Sequence, residues 1–117
     1  MSTSAFAANT SIKMCNPENK AQYLEVTVTN GEMKSTSGDG QNTSVQVMKV
    51  EQTMELTLQD LRKVATANNL DVNLEAGTAY QVAEGAYAIA NDAKGVKYLV
   101  LILGPMLQIL GNSDSCK

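Results

Sequence analysis

The first half of the chain alternates apolar with polar positions, a pattern typical of β-strands. Residues 23–29 read YLEVTVT, are rich in β-branched side chains, and are followed by Asn30-Gly31. Asn-Gly supplies the two positive φ angles of the type I′ turn that joins hairpin strands. We therefore predict a β-hairpin over residues 22–36, then a polar loop and a third strand over residues 44–50.

The periodicity changes after Thr57, where apolar residues recur every three to four positions. These residues are Leu58, Leu61, Val64 and Ala65. Such spacing gives a helix one apolar stripe. Thr57 can cap the first turn through its side-chain oxygen, and Asn68-Asn69 favours a stop because Asn readily enters the left-handed conformation. The pattern predicts one amphipathic helix near residues 58–69.

Residues 74–93 carry a pattern that fits two structures. The sequence on either side of Glu84-Gly85 is nearly a palindrome, AYQVA before and AYAIA after. A two-residue turn at Glu84-Gly85 would form a hairpin over residues 78–90. The opposed pairs in that register are Val82 with Tyr87 and Tyr80 with Ile89.

The alternative for the same stretch is a second helix at residues 76–92, which the high alanine content favours. Gly77 and Gly85 would each cost such a helix about 1 kcal/mol, whereas both suit turns in a sheet. We therefore predict the hairpin and keep the helix as the alternative.

The last apolar run covers residues 96–110 and is divided by Gly104-Pro105. It falls short of the roughly 18 to 20 apolar residues that cross a bilayer, so we expect no membrane span. Its two Leu- and Ile-rich halves predict buried strands joined by a tight turn. Together the patterns predict an α+β fold, mostly antiparallel β-sheet with one helix.

The two cysteines, Cys15 and Cys116, lie near the two ends of the chain with none between them. We predict that they form a disulfide, because closing a loop of roughly 100 residues contributes on the order of 4.7 kcal/mol in the chain-entropy model. Two separate thiols are the alternative. Disulfides persist in oxidising compartments, so we expect a periplasmic or secreted protein of a bacterial envelope. Residues 1–11 are predicted to be a flexible tail, and residues 12–117 a single globular domain.

The composition argues against several classes of function. The 117 residues carry a formal net charge of −3 and only nine dispersed basic residues, so we expect no nucleic-acid partner. The chain has no histidine, which removes the commonest general base and the commonest metal ligand. We therefore predict no metal site, no cofactor and no catalytic residues, and a protein that is not an enzyme.

Three of the four tyrosines fall in the second half of the chain. If Tyr80, Tyr87 and Tyr98 share one sheet surface, they could bind a protein partner, because tyrosine is enriched at binding hot spots. We therefore hypothesise a small exported non-catalytic interaction protein, such as an inhibitor, an immunity-type protein or a surface antigen.

Two other functions remain open. A carrier of a small apolar ligand would hold it between sheet and helix and would show a sizeable cavity. A small carboxylate-dependent hydrolase would need two acids facing each other in a cleft. The candidate pairs are Glu51 with Glu55 and Asp39 with Asp71.

Six methionines are many for a chain of this size. Flexible thioethers suit adaptable apolar surfaces, although filling the core is their simpler use. If Met33, Met48 and Met54 line an exposed groove, we expect a lipid or an amphipathic partner segment to bind there.

Overall fold

The computed structural model describes residues 10–29 and 31–116, and this part of the chain forms two antiparallel β-sheets, one α-helix and one 3₁₀ helix. The elements are β1 (Thr10–Asn16), β2 (Asn19–Thr29), β3 (Glu32–Gly38), β4 (Thr43–Lys49), β5 (Gln52–Glu55), α1 (Leu58–Ala67), β6 (Leu74–Val82), β7 (Gly85–Asp92), β8 (Lys97–Leu103), β9 (Met106–Asn112) and the 3₁₀ helix Ser113–Cys116. The predicted α+β class, mostly antiparallel sheet with a single helix, is confirmed.

The first sheet has the strand order β1-β2-β3-β4. Its central hairpin is the predicted one over residues 22–36, with Thr29 opposite Glu32 on either side of a two-residue turn. Gly31 takes a φ of +82°, which a residue without Cβ adopts at no steric cost. Asn30, the other turn residue, lies outside the described residues. The predicted third strand is β4.

Strand β1 is an element that the sequence patterns did not predict. Thr10 and Ser11, which were assigned to the N-terminal tail, belong to this strand, and residues 1–9 of the predicted tail lie outside the described residues. The strand forms because Ile12 and Met14 alternate into the core, where they are 2% and 8% exposed.

The second sheet has the strand order β5-β6-β7-β8-β9. The hairpins predicted over residues 78–90 and 96–110 are confirmed as β6-β7 and β8-β9, and the alternative helix at residues 76–92 is wrong. The predicted burial of the last strand is wrong, because β9 is an edge strand in which Met106 and Leu110 are 45% and 43% exposed. The two-residue turn of the β8-β9 hairpin is the predicted Gly104-Pro105, since Leu103 lies opposite Met106.

The register of the β6-β7 hairpin differs from the predicted one. Its turn is Ala83-Glu84, so Val82 lies opposite Gly85 and Tyr80 lies opposite Tyr87. Gly85 begins the second strand where a Cβ would come within 2.9 Å of Leu103 Cδ2. The end of the Leu103 side chain could move aside, but Gly85 has a φ of +152°, a conformation that other residues rarely adopt, so the position favours glycine.

Helix α1 begins at the predicted residue, Leu58, and ends at Ala67, two residues before the predicted end. Thr57 caps it, and Asp60 completes a capping box with Thr57. Asn69 takes the left-handed conformation with a φ of +51°, although the last helical residue is Ala67. Leu58 was expected on the apolar stripe, but 62% of its surface is exposed, because the helix buries only the stripe through Leu61 and Val64.

The second sheet is the middle layer of three. One of its faces packs against the first sheet and the other against α1, because successive side chains of a strand point to opposite faces. The buried residues between the two sheets are Ile12, Met14, Val26, Val28, Met33, Val50, Tyr80, Val82, Ile89 and Leu99. The buried residues between the second sheet and α1 are Leu61, Val64, Leu74, Ala79, Ala88, Ala90, Tyr98 and Val100.

The two ends of the described chain are joined covalently. The predicted disulfide is present between Cys15 of β1 and Cys116 of the 3₁₀ helix, 101 positions apart in the sequence. The Cys15 N–H also donates to Ser115 Oγ at 2.8 Å. Across residues 10–29 and 31–116, none of the helices has both the length and the apolar character to cross a membrane.

Candidate functional site: a groove beside the helix

A groove of about 710 Å³ lies on the helix-side face of the second sheet. One transverse row of side chains, a residue from each strand, forms its floor. This row is Gln52, Gln81, Ala86, Ile102 and Leu107, which lie opposite one another in the strand register. Residues of α1 form one side, and the turns at Ala83-Glu84 and Gly104 lie at the other.

The groove exists because α1 covers only part of the sheet. The helix follows β5 at one edge, and its C-cap residue Asn68 bonds to β9 at the other edge, so it crosses the strands. A helix is about 10 Å in diameter, whereas a strand the length of β6 extends about 30 Å. One helix lying across the sheet therefore leaves the floor row uncovered.

Small side chains deepen the centre of the groove. Ala86 lies on the floor in β7, between Gln81 and Ile102, and Ala79 lies beside it towards α1. Larger side chains also line the groove, among them Met54, which is 62% exposed, and Leu103, which is 41% exposed. The groove is therefore mostly apolar, runs alongside the helix and opens to solvent.

Charged groups lie on the rim of the groove. Asp60 and Lys63 of α1 line one side, and Glu84 lines the opposite turn. Hydrogen bonds from the Thr57 backbone N–H and the Thr57 hydroxyl hold the pKa of the exposed Asp60 carboxyl below its usual value. Asp60 is therefore ionised at neutral pH, and the rim carries charge of both signs.

The acidic residues considered for hydrolysis do not line this groove. The four residues are Glu51, Glu55, Asp39 and Asp71. Asp39 instead accepts the backbone N–H groups of Gln41 and Asn42 in the β3-β4 turn, at 2.9 and 2.7 Å. Within the part of the chain that the structure describes, no cluster of three or more Cys, Asp or Glu residues could hold a metal ion.

The three tyrosines proposed to bind a partner do not form one surface. Tyr80 is buried between the sheets and lies opposite the half-buried Tyr87, which packs on the same core. Tyr98 is buried on the other face, under α1. Predicting this required the strand register, because a shift of one position reverses the face on which a residue lies.

Tyr98 has a structural partner in Asp92, which is 5% exposed. The Tyr98 hydroxyl donates to Asp92 Oδ2 at 3.1 Å, and Asp92 Oδ1 accepts the N–H groups of Lys94 and Val96. Burial raises the pKa of the Asp92 carboxyl, but these hydrogen bonds and the nearby Lys94 charge lower it by a larger amount. The pKa of Asp92 is therefore below its usual value. Burial and the Asp92 contact raise the pKa of Tyr98.

The sequence carried a partial signal for the groove. Met54 was considered as a residue that could line one, and it does, whereas Met33 is buried and Met48 is half-buried. The sequence shows alanine at alternate positions of β7 from Ala86 to Ala90. Whether such alanines contribute to a groove floor depends on the face of the sheet on which they lie.

We compared the chain with known proteins at three levels. No protein-family model, no curated protein and no solved structure matches it. The geometry of the groove is therefore the basis for a functional proposal.

Proposed function

We propose that this protein is an exported, non-catalytic binding protein whose groove accepts an amphipathic helix of a protein partner. The observation that carries the proposal is the uncovered floor row beside α1, in which the central residue is Ala86. A helix in a groove is a recurring mode of peptide recognition, in which residues spaced three and four apart insert into an apolar surface.

The dimensions of the groove suit a helix. Five strands spaced about 4.8 Å apart give a row roughly 19 Å long, which corresponds to a helix of about 13 residues. A partner helix in this position would lie alongside α1 and complete the third layer. Ala79 and Ala86 would let its side chains approach the sheet closely.

An exposed methionine and the charged residues on the rim of the groove support a protein ligand. Met54 is flexible and mostly exposed, and such thioethers adapt to different apolar partners. Among the described residues, the rim carries two acidic side chains, Asp60 and Glu84, and one basic side chain, Lys63, and the whole chain has a net charge of −3. We therefore expect basic residues beside the apolar face of the partner helix.

Export is part of the same proposal. The Cys15–Cys116 bond closes a loop that includes most of the domain. Structural disulfides of this kind persist in the periplasm and outside the cell, whereas the cytosol keeps thiols reduced. The bond supports a periplasmic or secreted location.

A selection from a displayed library of amphipathic helical peptides tests the proposal. The wild-type chain is the bait, Ala86→Glu is the blocked variant, and Thr66→Glu, on the exposed side of α1, is the matched control. Glu at position 86 would place a carboxylate under the apolar face of the bound helix, where charge is costly. We expect enriched peptides to bind wild type and Thr66→Glu equally and to bind Ala86→Glu about tenfold or more weakly. Failure to enrich apolar-faced helices, or equal binding by Ala86→Glu, would contradict the proposal.

A small apolar ligand is a second candidate occupant of the same groove. The volume of 710 Å³ lies within the range of about 300 to 1,000 Å³ that is usual for small-molecule sites. Native mass spectrometry of the chain purified from its own host separates the two candidates. A retained apolar compound that Ala86→Glu loses would support the carrier, and a chain without such a compound would favour the helix.

A further inference from the structure

The two sheets of the described chain have four edge strands, and the molecule treats them differently. Edge strands present unpaired backbone groups that can pair with another chain unless they are covered, short or charged. On β1, the Cys15 N–H donates to Ser115 Oγ, and the Ser11 carbonyl accepts Lys97 Nζ at 2.9 Å. The C-terminal segment and Lys97 therefore occupy backbone groups on this edge.

The edges of the second sheet are protected in two other ways. On β9, Asn68 Nδ2 donates to the Leu107 carbonyl at 3.2 Å, and the Ile109 N–H donates to Asn68 Oδ1 at 2.9 Å. The carboxamide of Asn68 thus bonds to the strand edge as a neighbouring strand would. Strand β5 has four residues and ends with Glu55, which makes it a short edge.

Among the described residues, strand β4 is neither covered nor short, and its only charged residue is Lys49 at its end. It has seven residues, and residues 43–47 are all exposed. Val45 and Val47 are each 55% exposed. From Thr43 to Met48 the strand contains no charged residue, no proline and no glycine, which is the composition of segments that add to other strands.

Two backbone hydrogen bonds show which groups of β4 face outward. The Val50 N–H donates to the Gly31 carbonyl at one end, and the Asp39 N–H donates to the Asn42 carbonyl at the other. In an antiparallel pair the bonded positions alternate. Ser44, Gln46 and Met48 therefore bond to β3, and the N–H and C=O groups of the intervening residues, Val45 and Val47 among them, point away from it.

We propose that β4 pairs antiparallel with β4 of a second copy of this chain and joins the two first sheets into one eight-stranded sheet. The two-fold axis passes between the two Gln46 residues. Val45 of each copy then lies opposite Val47 of the other, and the outward backbone groups of both residues bond across the axis. This pairing is independent of the groove.

The charges at the ends of β4 favour this self-pairing. Lys49 lies opposite Thr43 of the other copy, so the two Lys49 residues are separated by about 20 Å, six residues of extended strand. Lys49 also comes beside the turn that carries Asp39 in the other copy. The hydrogen bonds from Asn42 and Gln41 lower the pKa of Asp39, so this turn is anionic at neutral pH.

Sedimentation equilibrium of the full chain from 10 µM to 1 mM, concentrations chosen for this test, measures the pairing. Val47→Pro removes an N–H that points away from β3 and therefore leaves the β3-β4 bonds intact. Val47→Thr is the matched control, because it keeps both the N–H and the β-branch. We expect a reversible dimer for wild type and Val47→Thr, and a dissociation constant raised about tenfold or more for Val47→Pro, since each copy loses a backbone donor.

Val45→Lys tests the same pairing without changing the backbone, because it puts two lysines at diagonal positions across the axis, about 7 to 8 Å apart at the backbone, where like charges repel. If circular dichroism shows that Val47→Pro does not fold, the Val45→Lys variant decides the outcome. A wild-type chain that is monomeric throughout this range overturns the proposal. The proposal is also overturned if Val45→Lys, or folded Val47→Pro, dimerises with the same dissociation constant as wild type. Ala86→Glu keeps the dimer, which separates this pairing from the groove.

Discussion

The face of a strand on which a side chain lies decides which of the two cores it packs in. Tyr80 and Tyr98 are both buried, yet they lie in different cores. Tyr98 reaches Asp92 across the β7-β8 connection and stabilises it together with two backbone N–H groups. Tyr80 and Tyr98 therefore each contribute to a packed core.

Removal of the Tyr98 hydroxyl tests this role. Tyr98→Phe leaves the buried Asp92 Oδ2 without its side-chain donor, so we expect the free energy of unfolding to fall by about 1 to 2 kcal/mol. Tyr87→Phe, a half-buried ring in the other core, is the control and should cost less. Urea denaturation at pH 7 measures both. Equal losses for the two variants would refute a specific role for the Asp92 contact.

The same pair gives the protein two limits in pH. The pKa of Asp92 is lowered by folding, so its contribution to stability is present above about pH 4 and is lost as the pH falls through the native pKa. The pKa of Tyr98 is raised by folding, so its contribution is present below about pH 10 and is lost as the pH rises further. In unfolding measurements from pH 2 to 11, a range chosen for this test, Tyr98→Phe should flatten the alkaline limb. An unchanged alkaline limb in that variant would contradict the assignment.

At the scale of elements, the helix illustrates how far the sequence pattern predicts burial. Leu58 and Leu61 both fitted the apolar stripe, but Leu61 is 1% exposed and Leu58 is 62% exposed. Within the first turn of α1, therefore, one leucine packs on the sheet and the other faces solvent. A periodic pattern identifies a helix face, and tertiary packing decides how much of that face is buried.

Two leucine substitutions measure this difference. We expect Leu61→Ala to lower the free energy of unfolding by about 2 to 5 kcal/mol, because it leaves a cavity in the core under α1. Leu58→Ala should change it by less than about 0.5 kcal/mol. Thermal or urea denaturation provides the comparison. A large loss for Leu58→Ala would show that its exposed side chain packs more closely than the structure indicates.

The elements that could be predicted from the sequence are those with turn or cap chemistry. Asn30-Gly31 marked one hairpin, Gly104-Pro105 marked another, and Thr57 marked the helix start. Strand β1 was missed because its first residues, Thr10 and Ser11, were assigned to the N-terminal tail, and no turn signal of the Asn-Gly kind marks its hairpin with the adjacent β2. The β6-β7 register was missed because Gly85 suggested a turn residue, whereas it is the first residue of β7 and has a φ of +152° that favours glycine.

The candidate site was less predictable, since it depends on relations between elements. Ala86 and Met54 are far apart in the sequence, and they share the groove only because the strand register places them on the same face. The unprotected edge of β4 can likewise be identified only by comparison with the other edges, of which β1 and β9 bond to side chains and β5 is short. Sequence patterns describe one segment at a time, so they do not show these relations.

At the scale of the whole molecule, the disulfide joins the first strand to the C-terminal segment and so fixes the first sheet to the second. We expect the double variant Cys15→Ser and Cys116→Ser to lose on the order of 4.7 kcal/mol, the chain-entropy value for a loop of roughly 100 residues. Urea denaturation of the native chain with and without a thiol reductant measures the loss. The reduced native chain should match the double variant, and equal stability of the oxidised and reduced forms would contradict this role.

Among the described residues, the three layers leave open the groove beside α1 and the edge of β4. The groove is the surface on which the proposed function depends, so its occupancy is the central claim. Chemical-shift mapping by NMR, with a helical peptide enriched in the selection, tests it most directly. The account predicts that the perturbed amides cluster on the floor row around Gln81, Ala86 and Ile102 and on the facing side of α1. Perturbations confined to the outer face of the first sheet, or no perturbation at saturating peptide, would contradict it.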